Sequence, residues 1–117
     1  MTQDIVRHIE DSIQRDKSIV ELGKAVERLQ LNRDFKAVIV EGYLKQEAIR
    51  LVHLRVDPSM QTPERQASIM NQIDAIGGFS QYLRTIEYNA AMAEKAIETN
   101  EAMRSEIQAE ELSRGWS

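Results

Sequence analysis

The amino-acid sequence predicts an all-α protein. Apolar residues recur at intervals of three and four along nearly the whole chain, and β-branched residues do not alternate with polar ones. Only five glycines and two prolines interrupt the 117 residues, and a composition of 42% hydrophobic and 29% charged residues is typical of folded chains. We therefore expect one helical domain over residues 1–117, arranged as a helical bundle or hairpin, with residues 114–117 as a short C-terminal tail.

The N-terminal region is predicted to contain two short helices. Isoleucines recur every four residues, at Ile5, Ile9 and Ile13. This spacing places them on one face of a first helix. Ser18 and Glu21 have the spacing of a capping box, in which each side chain satisfies a backbone donor at a helix start. We therefore favour a break at residues 14–17 over a bend within one continuous helix. The buried face of the second helix would comprise Leu22, Val26 and Leu29.

An apolar central helix is predicted over about residues 33–56, with Asn32 as its N-cap. One apolar stripe comprises Phe35, Val38, Gly42, Ile49 and Val52. A second stripe, about 140° around the helix, comprises Val40, Leu44, Ala48 and Leu51. A helix with two apolar stripes is expected to lie between neighbours, and Gly42 is a candidate for the close approach of another helix.

A long C-terminal helix is predicted over about residues 63–113. Pro58 disfavours a helical conformation at Asp57, which ends the central helix. Thr62 and Pro63 then provide an N-cap and a first-turn proline for the next helix. No proline follows, so this helix either runs continuously or is kinked at its one glycine pair.

The C-terminal helix carries a heptad pattern, which is typical of a coiled coil. Its a positions are Ile69, Ile76, Leu83, Ala90 and Ile97. Its apolar d positions are Phe79, Ile86 and Ala93. Because a and d positions form the contact surface of a coiled coil, we expect this helix to mediate self-association or contact with other subunits.

Gly77 and Gly78 interrupt the helical pattern without shifting the heptad register. A phosphate-binding loop would need glycines after a strand and usually a Lys-Ser/Thr pair, and a hydrolase elbow needs Gly-x-Ser-x-Gly. Residues 77–80 match neither pattern. We therefore interpret the pair as an intrahelical position without side chains, where the central helix near Gly42 or a neighbouring subunit can approach closely.

The sequence predicts no enzymatic chemistry. Without cysteine, the chain cannot form disulfides, thiolate metal sites or a cysteine nucleophile. His8 and His53 are the only histidines, and two isolated histidines form no recognisable metal-ligand or catalytic signature. The glutamates from Glu98 onward include no Glu-x-x-His pair of the kind that helical dimetal proteins use. We therefore predict no catalytic residue, no metal ligand and no cofactor.

The distribution of charge argues against nucleic acid as a direct partner. The net charge is −4, and residues 63–117 contain nine acidic and five basic residues. Nucleic-acid binders usually concentrate positive charge, because neutralisation of phosphates supplies much of their affinity. No run approaches the ~18 apolar residues of a membrane span, so a membrane partner is not expected either.

Trp116 is the single tryptophan and follows Gly115. It either folds back on the chain's own core or anchors a partner, since tryptophan is enriched among interface hot spots. The candidate interface comprises Ile69, Ile76, Gly77, Gly78, Phe79, Leu83, Ile86, Ile97 and Trp116.

The chain resembles small all-helical proteins encoded among the structural and assembly genes of tailed bacteriophages. The resemblance lies in three stretches, RDFKAVIVEGYLKQEAIRLVHL, IDAIGGFSQYLRTIE and AEKAIETNEAMRSEIQAEE, and covers about residues 27–112. It implies a non-enzymatic virion component or assembly factor, located in the virion or the host cytoplasm, that binds copies of itself or capsid, portal or tail subunits. The alternative is a small phage regulatory protein that inhibits a host enzyme, for which the acidic second half is suited.

Overall fold

The computed structural model describes residues 2–115, and its regular elements are helices. The N-terminal helix spans Thr2–Leu31. A middle helix follows over residues 33–56, then a 3-10 turn over Pro58–Met60, and the C-terminal helix spans Pro63–Gly115. No strand occurs within the described range. The predicted all-α class and the long C-terminal helix are confirmed, and that helix extends past its predicted end at residue 113.

The N-terminal helix is continuous over 30 residues, so the predicted break at residues 14–17 is wrong. Ser18 does not cap a new helix. Its hydroxyl donates instead to the carbonyl oxygen of Gln14, one turn earlier, at 3.3 Å. A serine inside a helix can satisfy its hydroxyl in this way, which is why the capping-box spacing alone does not establish a helix start.

The middle helix begins where the sequence predicts. Asn32 accepts a hydrogen bond from the backbone amide of Phe35 at 2.9 Å, as an N-cap does. One α-helical turn, Arg33–Phe35, leads into a π-helical segment, Lys36–Glu47, and then into an α-helical segment, Ala48–Val56. Because π-helical geometry usually lasts a single turn, a segment of 12 residues is unusual.

Gly42 lies inside the π-helical segment and does not serve the close helix approach that the sequence suggests. A Cβ built on Gly42 would lie 3.1 Å from the carbonyl oxygen of Ala37, five residues earlier in the same helix. No atom of another described helix comes within 4 Å of that position. The described chain therefore makes no contact between helices that requires glycine at position 42.

Residues 57–62 separate the middle and C-terminal helices, as predicted. Asp57 adopts an extended conformation with φ −65° and ψ 127°, and its carboxylate accepts hydrogen bonds from the backbone amide and the hydroxyl of Ser59. The hydroxyl of Thr62 accepts from the backbone amide of Arg65 at 3.3 Å and so caps the helix that follows. Both helix boundaries thus depend on local side-chain hydrogen bonds.

The described chain forms two compact units: the terminal unit, residues 2–24 with residues 86–115, and the middle unit, residues 25–85. In the terminal unit Gly23 lies against Ala90, and Arg104 lies 3.9 Å from the carboxylate of Glu10. These two contacts show that the helices of this unit run antiparallel. Its buried residues are Ile9, Ile13, Val20, Gly23, Ala90 and Ala93.

The core of the middle unit is built from large side chains. Leu51, Ile69 and Ile76 form its buried cluster. The half-buried side chains around this cluster are Tyr43, Leu44, Ala48, Leu54, Met60 and Ile73. Leu51 belongs to the second of the two predicted stripes of the middle helix, which is therefore the stripe that faces the C-terminal helix.

Candidate interaction surface

The heptad pattern of the C-terminal helix largely faces the chain's own interior. Its buried positions are Ile69, Ile76, Ala90 and Ala93. Its half-buried positions are Leu83, Ile86 and Ile97. A partner that approaches this helix therefore meets little of these side chains, and their predicted role in an interface stays a prediction.

Gly77 and Gly78 are exposed within an uninterrupted helix. A Cβ built on either glycine would meet no described atom within 4 Å, so the expected close approach of the chain's own central helix does not occur here. The other half of that interpretation, approach by a neighbouring subunit, stays a prediction. Two glycines inside a helix cost about 1 kcal/mol each relative to alanine, and no contact described within the chain compensates for this cost.

Phe79 follows the glycine pair and is only partly covered. Its ring packs edge-on against Tyr43 of the middle helix, with ring centroids 6.0 Å apart and an interplanar angle of 84°. The phenylalanine nevertheless remains 37% exposed, and Tyr82, one turn further along, is 57% exposed. An exposed aromatic pair therefore adjoins the two glycines on the surface of the middle unit.

The glycine that packing does require is Gly23, which sequence reasoning missed. A Cβ built on Gly23 would lie 2.3 Å from the Cβ of Ala90, a distance that real Cβ atoms essentially never show. The two helices of the terminal unit are thus close enough at this point to exclude any side chain larger than hydrogen. The sequence contains one indication of this contact, the alanines at positions 90, 91, 93 and 96, which allow another helix to approach closely. Such an approach also requires a small residue on the facing helix.

The first predicted stripe of the middle helix ends in two exposed residues, Ile49 and Val52, and Val56, which was not part of that prediction, extends their face. Ile49, Val52 and Val56 lie at i, i+3 and i+7 of the α-helical segment and share one face. They are 45%, 57% and 74% exposed, respectively. Three branched apolar side chains on one exposed face are a surface that another apolar surface can cover.

The other sequence candidates lie apart from this surface. His8 lines an open groove in the terminal unit beside Ile5, Asn100 and Met103, and His53 is exposed on the middle helix. Within residues 2–115, no group of three or more histidine and acidic side chains is placed to hold a metal ion. Trp116 lies outside the described residues.

Charged side chains pair locally along the helices. The Nε of Arg50 donates to the carboxylate of Glu47 at 2.8 Å, and this hydrogen bond raises the pKa of Arg50 above its ordinary value. The pKa of Asp57 is held below its ordinary value, because the backbone amide and then the hydroxyl of Ser59 donate to its carboxylate. Both shifts arise from neighbours within three residues, so they organise the helix surface and one helix end.

Comparison of this chain with protein-family models, with curated proteins and with solved structures finds no match. In the described part of the chain, no helix is both long and apolar enough to cross a membrane. Because a fold by itself does not specify function, the functional proposal is built from the exposed surfaces of the molecule.

Proposed function

We propose that this protein is a non-enzymatic assembly protein that acts by packing its uncovered helix faces against other protein subunits. The observation that carries the proposal is the exposed apolar face of the middle helix, Ile49, Val52 and Val56, which residues 2–115 leave without a cover. The exposed rings of Phe79 and Tyr82 provide a second surface on the C-terminal helix. Both surfaces belong to the middle unit.

The free energy available from covering the apolar face is modest. Full burial of one valine or isoleucine side chain contributes roughly 1.5–3 kcal/mol. Because the three residues are 45%, 57% and 74% exposed, a partner that covers them gains on the order of 3–5 kcal/mol before the cost of association. Such a face contributes to a larger interface and does not form a tight one alone.

The resemblance to helical structural and assembly proteins of tailed bacteriophages supports a virion setting for this contact. In that setting the partners are copies of the chain or capsid, portal or tail subunits. Mass spectrometry of purified virions, with the copy number determined, tests this directly. Reproducible incorporation at a fixed copy number is expected, whereas absence from virions would overturn the virion role.

A matched pair of variants connects the virion test to the apolar face. Val52→Asp places a carboxylate in the centre of the face and should abolish incorporation. Gln46→Asp introduces the same charge at an exposed position of the same helix that is not part of this face, and should leave incorporation unchanged. Equal incorporation of both variants would show that the face does not bind a virion subunit.

The acidic surface of the C-terminal helix favours a second candidate, a small phage protein that inhibits a host enzyme. The exposed carboxylates there are Glu94, Glu98, Glu101, Glu106, Glu110 and Glu111. A basic partner would bind them with an affinity that falls as salt increases, because exposed charges are screened over about 10 Å at 0.1 M ionic strength. Inhibition of a purified host enzyme, lost at high salt and accompanied by absence from virions, would favour this function.

A further inference from the structure

The outward face of the C-terminal helix in the middle unit is almost free of charge. Residues 66–83 contain a single charged residue, Asp74, although 29% of the whole chain is charged. The solvent-facing side of a surface helix normally carries many charged residues. Here that side carries Asn71, Asp74, Ala75, Gly78, Gln81, Tyr82 and Thr85, all of them exposed. This composition is unusual for a helix face that remains in water.

Gly78 lies at the centre of this outward face. At about 100° per residue, it points about 160° away from Ile76, whose side chain enters the core. Nothing in the described chain lies within 4 Å of a Cβ at Gly78. The backbone of this helix is therefore open to close approach from outside, and Tyr82 beside it offers an exposed ring for burial.

We propose that the occupant of this face is the same face of a second copy of this chain, packed antiparallel with Gly78 crossing Gly78. This proposal rests on the proposed function, because it names one partner of an assembly protein. In a two-fold arrangement centred at Gly78, position 78 + n of one copy faces position 78 − n of the other. Asp74 then faces Tyr82, Ala75 faces Gln81, and Asn71 faces Thr85.

Two of these pairings match in hydrogen-bonding capacity, and the third matches in size. The Tyr82 hydroxyl of one copy can donate to the Asp74 carboxylate of the other, and the Asn71 amide can bond the Thr85 hydroxyl. A small side chain faces a larger one at positions 75 and 81. Because two-fold symmetry repeats each pair, both copies satisfy the same groups.

Charge also selects antiparallel over parallel packing. In a parallel pair Asp74 would face Asp74, which places two carboxylates together and disfavours the contact. In the antiparallel pair the two Asp74 side chains are eight residues apart along the helices, or about 12 Å. That separation exceeds the Debye length of about 10 Å at 0.1 M salt, so the repulsion is largely screened.

Cysteine cross-linking tests this register directly, because the chain contains no cysteine of its own. Single variants Ala75→Cys and Gln81→Cys are prepared, oxidised separately and then oxidised as a mixture. In the antiparallel register only the mixture forms a disulfide-linked dimer efficiently, since position 75 of one copy faces position 81 of the other. Two copies of position 75 are about 9 Å apart along the axis, beyond the Cα separation of about 7 Å that a disulfide spans.

Two further variants complete the test. Arg84→Cys, about 120° around the helix from Gly78, should not cross-link and controls for random collision. Gly78→Leu should lower self-association at least tenfold in sedimentation measured across a concentration series. At low concentration this variant should keep the helix content and the thermal unfolding midpoint of the native chain, because the structure leaves room for the new side chain.

The inference is overturned by a native chain that stays monomeric, by cross-linking of Ala75→Cys alone as efficiently as the mixture, or by normal self-association of Gly78→Leu. None of these outcomes removes the proposed function. A monomeric chain that is incorporated into virions through Val52 would remain an assembly protein with a different partner. Absence from virions together with an antiparallel dimer would overturn the virion role and leave the dimer established.

Discussion

The two units of the molecule differ in how closely their helix backbones approach each other. In the terminal unit Gly23 and Ala90 bring two helix backbones together, and no side chain fits between them at that point. In the middle unit the buried side chains are large, with Leu51, Ile69 and Ile76 at the centre. Gly23 therefore lies inside the terminal unit, whereas Gly77 and Gly78 lie on the outer surface of the middle unit.

This difference shows what a helical glycine indicates in such a protein. Gly23 is required by a contact within the chain, so substituting it should damage the fold. Gly77 and Gly78 lower the stability of their own helix and make no compensating contact within the described chain. The proposed contact of Gly78 with a second copy would compensate for part of this cost.

The largest expected effect is in the core of the middle unit. Leu51 is 0% exposed, so Leu51→Ala removes buried methyl groups and leaves a cavity, at a cost of about 2–5 kcal/mol in the free energy of unfolding. The neighbouring Val52, which is 57% exposed, supplies the matched variant. Val52→Ala should change the free energy of unfolding by less than about 1 kcal/mol. Chemical denaturation of both variants measures the difference, and equal losses would contradict the assignment of the two stripes.

The next effect is in the terminal unit. Gly23→Ala forces the two helices apart at Ala90. Overpacking of this kind lowers the free energy of unfolding by about 1–3 kcal/mol. The higher helix propensity of alanine offsets at most about 1 kcal/mol of this loss. Net destabilisation of up to about 2 kcal/mol is expected in thermal or chemical unfolding. Adding Ala90→Gly removes the opposing methyl group and should restore part of the loss. Additive losses in the double variant would show that the two positions do not meet.

The sequence predicts contacts between residues that are close along the chain better than contacts between residues that are far apart along it. Asn32 and Thr62 cap their helices as predicted, because a cap involves residues only three positions apart. The heptad pattern shows correctly that Ile69 and Ile76 share a face, and the structure adds that this face is buried within the chain. A periodic pattern defines a face without specifying what covers it.

Gly23 was missed for the same reason. Its close contact is with Ala90, 67 positions later in the chain, and no local pattern connects the two. The glycine pair at 77 and 78 is more conspicuous in the sequence but has no such contact within the chain. The break predicted near Ser18 was also a local inference, and it is wrong because the hydroxyl bonds the preceding turn of a continuous helix.

A smaller effect, of opposite sign, is expected at Gly77. Gly77→Ala adds a methyl group to open space inside a helix and should stabilise the fold by up to about 1 kcal/mol. Comparison with Gly23→Ala, the same substitution in the terminal unit, should therefore give changes of opposite sign in the same unfolding assay. Destabilisation by Gly77→Ala would mean that the native chain makes a contact there that the monomer does not show, and its concentration dependence would identify self-association.

The smallest expected effect concerns pH at the end of the middle helix. Because the pKa of Asp57 is lower in the folded chain than in the unfolded one, its contribution to stability is complete above the ordinary carboxyl pKa of about 3.9 and is lost as pH falls through the folded value. Asp57→Asn cannot ionise, so the difference in the free energy of unfolding between the native chain and this variant should shrink from about pH 6 to about pH 3. Ser59→Ala keeps the amide donor and loses the hydroxyl, and should show an intermediate pH dependence. A difference between native and Asp57→Asn chains that stays constant over this range would mean that the hydrogen bonds from Ser59 do not favour the charged carboxylate.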